Sequence, residues 1–139
     1  MAIRSYRDLE VWQKAMDLAV ECYRVTAGLP KSEMYGLTSQ IRRAAASVAA
    51  NIAEGRGRRS TRDFRRFLDI AYGSLLEAET HAILAHRLGY IEKDALNGIL
   101  DSSAEIGRML NGLRTSLSSR IAERDTRRPS SASPLNPDP

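Results

Sequence analysis

Four stretches of this chain set apolar residues three and four positions apart, and each gives way to a glycine or to a polar, proline-rich segment. That period matches the helical turn rather than the two-residue alternation of a strand, so the fold has to be assembled from helix faces. In the first stretch Asp8 reads as an N-cap, Leu9, Trp12, Met16, Ala19, Val20 and Tyr23 as the core stripe, and Gly28 with Pro30 as the stop. Ser32 reopens a helix whose apolar face is Leu37, Ile41, Ala44, Ala45, Val48 and Ile52, with Gly55 as the residue that ends it. Ser60 and Asp63 have the spacing of a capping box ahead of Phe64, Phe67, Leu68, Ala71, Leu75, Ala78 and Ala82, a stripe that runs on to Gly89. The fourth comprises Leu96, Ile99, Leu100, Ile106, Met109, Leu110, Leu113 and Leu117.

The expected helices are therefore 8–28, 33–54, 61–89 and 94–119. Their connectors are too short for a crossover, which predicts an all-α, antiparallel up-down four-helix bundle over residues 1–119. Residues 120–139 hold four of the five prolines and read as a disordered tail rich in Arg, Pro and Ser. A single cysteine, Cys22, excludes an internal disulfide and a cysteine-based zinc cluster. No apolar run is long enough to span a bilayer and the first residues lack a signal-peptide pattern, so the expectation is a cytoplasmic protein with no membrane partner.

The net charge of +4 is modest, but it is concentrated. Residues 56–66 contain Arg56, Arg58, Arg59, Arg62, Arg65 and Arg66 against one acid, Asp63, a local charge of +5. Arginine's planar fork suits phosphate. Counting from Phe64, Arg65, Arg62 and Arg66 fall about 100°, 160° and 200° away around the helix, pointing from the core. Arg56, Arg58 and Arg59 sit in the preceding loop, beside a helix N-terminus that also favours an anion. Cations in a first helical turn oppose the dipole at about 0.3–1 kcal/mol each, a cost that a phosphate partner would offset. Arg42 and Arg43 flank the apolar stripe of the second helix and either extend this basic surface or form interface ion pairs. The alternative for the whole cluster is an ordinary solvated face, bonded to Asp69 or Glu54, or a set of contacts between subunits. Because Phe64 and Phe67 belong to the core, no stacking platform is expected, and nucleic acid would be held by its backbone.

The phrases "LTSQIRRAA", "NIAEG" and "GSLLEAET", in that order within residues 6–91, identify a resemblance. The chain resembles the small four-helix-bundle proteins encoded in intervening sequences of bacterial 23S ribosomal RNA genes, and is more distantly similar to accessory proteins of diversity-generating retroelements. The resemblance implies a ring-shaped homo-oligomer, a homopentamer, with RNA or DNA and a reverse transcriptase as partners. It carries over no catalytic residues.

No other feature supports a reaction. There is no P-loop, HExxH or GxSxG, and neither histidine follows a glutamate by three positions as a di-metal bundle requires, so no enzyme, metal or cofactor is expected. Glu79 and His86 project near the core stripe of the third helix and should bond across helices to Gln40, Tyr35 or an arginine. Cys22 reads as a packing residue at the edge of the first helix. Ile70, Leu76 and Ile83, with Tyr72 nearby, form a second apolar strip that points to self-association. Arg120, Arg124, Arg127 and Arg128 in the tail read as a second, flexible phosphate contact or as solvated charge. A protein-interaction scaffold whose arginines serve subunit contacts is the competing reading.

Overall fold

The computed structural model describes residues 5–127, and among them the only regular structure is helical. Four α-helices follow one another: α1 (Glu10–Thr26), α2 (Leu37–Arg56), α3 (Thr61–Arg87) and α4 (Lys93–Arg127). α1 and α3 each pack against α2 and α4, with α2 and α3 in the most extensive contact. One continuous core results, with Leu18, Ile41, Ile52, Leu68, Leu75, Ile99, Ile106 and Leu110 fully buried. The predicted stripes of α2 and α3 form that core nearly residue for residue, although Phe64 is only half-buried.

Helix ends follow local chemistry. Asp8 does not cap α1: it closes a capping box with Ser5 around a 3-10 turn at Tyr6–Asp8. α2 begins at Leu37 rather than near Ser32, because the Glu33 side chain reaches forward from a 3-10 turn to accept the Leu37 N–H at 3.1 Å. α3 ends as its glycine predicted. Gly89 has φ 84°, and Gly89 and Tyr90 donate to the carbonyls of His86 and Ala85, satisfying the last turn.

Three expectations need correction. The buried face of α1 is Val11, Ala15, Leu18, Ala19, Cys22 and Thr26, so the stripe is rotated about one residue from the predicted one. Met16, Val20 and Tyr23 are 41%, 55% and 49% exposed, and Trp12 is only half-buried. α1 is apolar on two adjoining faces, and the face with the smaller residues is the one that packs closely. Gly55 is not a stop. It lies buried inside α2, where an added Cβ would come within 2.7 Å of the Phe67 Cβ and 3.0 Å of Phe64 Cδ1. Finally, positions 120–127, read as tail, continue α4, which at 35 residues is about 52 Å long and overhangs its neighbours. Ala122, Glu123 and Arg124 are good helix formers, and Asp125 ties this end to Arg62 at 2.6 Å. The rest of the predicted tail, with Arg128, lies outside the described residues.

Candidate nucleic-acid interface

Ser60 organises the basic end. Its hydroxyl accepts the Asp63 N–H at 3.0 Å, starting α3 and turning the Gly57–Ser60 loop back over Phe64. The six predicted arginines then divide. On the α3 flank, Arg62 pairs with Asp125, Arg65 donates to Asp69 and to the Ser118 hydroxyl, and Arg66 lies 3.9 Å from Asp63. Arg114 of α4 shares Asp69 at 2.8 Å, so two guanidiniums meet one carboxylate there. Arg58 is tied to Glu54 at 2.8 Å. Arg58 and Arg66 also lie over the Phe67 ring, 4.8 and 4.7 Å from its centroid.

Arg56 and Arg59 make no ion pair or hydrogen bond to any described residue. With Arg58 and with Arg120 from α4, they surround a concavity of about 400 Å³ lined by no acid. Ser60, Thr61 and Ser116 add hydroxyls, and Phe64, Leu113 and Leu117 are among its apolar walls. Arg124 lines an adjoining hollow of about 230 Å³ with Arg62 and Asp125. The sequence signal for Arg120 and Arg124 is their spacing with Arg127, four and then three positions, which puts all three on one helical face. Ending the fourth helix near 119 hid it.

The structure does not bring Arg42 and Arg43 to this place. Arg43 is thirteen positions before Arg56 on α2, about 20 Å along the axis. Arg42 is used internally: it donates to the Thr26 hydroxyl at 2.9 Å and the Tyr23 carbonyl at 3.2 Å, and stacks 4.5 Å from the Tyr23 ring centroid. Arg43 lines a separate polar hollow with Gln40, Ser47 and Glu77.

Residues 7–112 match the family described as 23S rRNA-intervening sequence protein. The chain belongs to that family. A crystal structure of a protein of unknown function from the S23 ribosomal protein family of Bacteroides thetaiotaomicron VPI-5482 superposes with a TM-score of 0.68 at 28% identity, covering 75% of this chain and 97% of that one. Comparison with curated proteins returned no match. In this member of the 23S rRNA-intervening sequence protein family, all six hairpin arginines lie inside the matched span, whereas Arg120 and Arg124 lie beyond it.

The remaining candidate groups have local partners. Glu79 accepts a hydrogen bond from the buried Ser103 hydroxyl of α4, and His86 Nδ1 lies 3.0 Å from the Ile91 carbonyl oxygen; neither bonds to Gln40, Tyr35 or an arginine. Cys22 is fully buried, not at an edge, and burial pushes its thiol up to about 12, which removes it as a nucleophile near neutrality. Among the described residues no helix is long and apolar enough to cross a membrane.

Proposed function

We propose that this protein is a cytoplasmic, non-enzymatic nucleic-acid-binding protein, an antiparallel up-down bundle that assembles as a ring-shaped homo-oligomer and holds RNA or DNA by its phosphates. One observation carries the binding reading: four arginines converge on one acid-free concavity, and three of them, Arg56, Arg59 and Arg120, have no partner among the described residues. Unneutralised guanidiniums beside a helix N-terminus form a site for phosphate oxygens, indifferent to base sequence. The up-down arrangement is supported by pairing order, since Arg62, Arg65 and Glu79 along α3 meet Asp125, Ser118 and Ser103 in reverse along α4.

Self-association is supported by exposed apolar surface. Met16, Val20 and Tyr23 line a groove of about 550 Å³ with Ala46, Ala50 and Ala53 of α2. Of the predicted strip on α3, Ile70 and Leu76 are exposed, whereas Ile83 and Tyr72 pack on the core. Five copies and a reverse transcriptase partner are proposed only on the distant resemblance to retroelement accessory proteins read from the sequence. The second reading is a protein-interaction scaffold whose arginines serve subunit contacts; Arg62, Arg65 and Arg66 are already within 4.0 Å of carboxylates of their own chain, which leaves them less available to phosphate.

Nucleic acid should co-purify with the native protein, raising its 260/280 nm absorbance ratio until nuclease treatment. The R56Q/R58Q/R59Q/R120Q variant should emerge free of it at an unchanged sizing-column volume. If instead the oligomer dissociates, the scaffold reading holds. Light scattering that gives a monomer across micromolar concentrations would remove the ring.

A further inference from the structure

A phosphate alone would fill only part of the hollow between the hairpin loop and α4. At about 400 Å³ it falls in the range of sites that enclose small organic molecules, and its lining is of two kinds. Arg56, Arg59 and Arg120 with Ser60 and Thr61 supply its polar lining. Half-buried Phe64 and Leu113 and buried Leu117 supply an apolar wall. Backbone binding has no use for that wall. Sequence pattern assigned Phe64 wholly to the core, yet it is not fully covered, because α2 and α3 meet over Gly55 and leave part of it facing α4.

We propose that this hollow takes one unpaired nucleotide, its phosphate among the arginines and its base against Phe64, Leu113 and Leu117, so that the protein selects single-stranded nucleic acid over duplex. This deepens the binding reading above and rests on it. In a duplex the bases are stacked and paired inside, and only phosphates reach the protein. In a single strand a base can turn out and bury its faces against apolar or guanidinium surface, worth about 1–3 kcal/mol. No acid lines the hollow, and the nearby Glu54 carboxylate is held by Arg58 at 2.8 Å, so a phosphate inside it meets unopposed guanidiniums. The contact needs no 2′-hydroxyl, so ribose and deoxyribose strands should behave alike.

The test compares three probes of equal phosphate number on the full chain by fluorescence anisotropy: an intact single strand, an abasic single strand and a duplex. The intact strand should bind about tenfold more tightly than the abasic one. F64L, which keeps a branched apolar side chain but removes the ring, and L113N, at a half-buried position, should each narrow that ratio to about threefold or less, with helical circular dichroism retained in at least one of them. Equal affinity for all three probes would overturn the pocket and leave backbone binding standing. A tenfold preference untouched by both variants would also overturn it, since the base would then lie elsewhere. Should an acidic peptide of matched charge bind as tightly as the intact strand, the hollow takes proteins and the inference fails. If no probe binds at low salt, the underlying nucleic-acid reading falls with it.

Discussion

Arg59 and Arg62 stand three positions apart in the same basic run and meet different surroundings. Arg62 looks across α3 to α4 and finds Asp125 at 2.6 Å; Arg59 faces the loop side and finds no described partner. The α3 flank carries three arginines, each within 4.0 Å of a carboxylate, whereas the loop side carries Arg56, Arg59 and Arg120 around a hollow with none. Charge density along a sequence therefore does not give the charge a ligand meets. What decides it is where the carboxylates stand: α3 supplies Asp63 and Asp69 to its own flank and α4 adds Asp125 there, while α4 brings another arginine to the loop side.

The contrast can be broken most directly by removing each trio in turn. R56Q/R59Q/R120Q should weaken binding of a short single strand about 100-fold at low salt, as expected for some 3 kcal/mol of lost charge-assisted contact. R62Q/R65Q/R66Q should cost less than about fivefold in the same titration. Equal losses would mean that the flank pairs open to the ligand and that the two sides do not differ.

Salt sharpens the same point. With about four phosphates neutralised on a single strand, the log–log slope of affinity against salt should be near −3, falling to about −1 in the loop-side variant and staying near −3 in the flank variant. Stability should follow the opposite order. The flank variant loses exposed ion pairs worth about 0.2–1 kcal/mol each, and its Tm should fall by several degrees, while the loop-side variant should melt within about a degree of wild type. The smallest effect belongs to D125N. Freeing Arg62 next to Arg124 should tighten binding about twofold, and a tenfold loss would show instead that the Asp125 contact is what seats the end of α4.

Much of this architecture was legible because the stripes of α2 and α3 are narrow and repeat cleanly from Leu37 to Ile52 and from Phe67 to Ala82. α1 was misread because both of its adjoining faces are apolar, and periodicity cannot say which one the neighbours cover. The basic run was visible as composition, and the outward direction of Arg62, Arg65 and Arg66 followed from helical angle. Part of their neutralisation was legible: the alternative of local bonds to Asp69 or Glu54 is what Arg65 and Arg58 make, whereas the partner of Arg62, Asp125, lies 63 positions away and was not. Arg120 was assigned to a flexible tail instead of to this hollow through the placement of one helix end: proline density after residue 128 was taken to weaken the helix eight residues too early.

Gly55 sets one more condition on this end of the molecule. Since no side chain separates α2 from α3 there, the gap between the two helices is set by the Gly55 main chain against Phe67 Cβ and the Phe64 ring. Arg56, which closes α2 instead of standing in the loop as the sequence suggested, and the loop residues Arg58 and Arg59 follow directly from that junction, so their mutual spacing is inherited from it. A methyl group at position 55 would pry the mouth wider, and the pitch of phosphates it could bridge would change without a single arginine being altered.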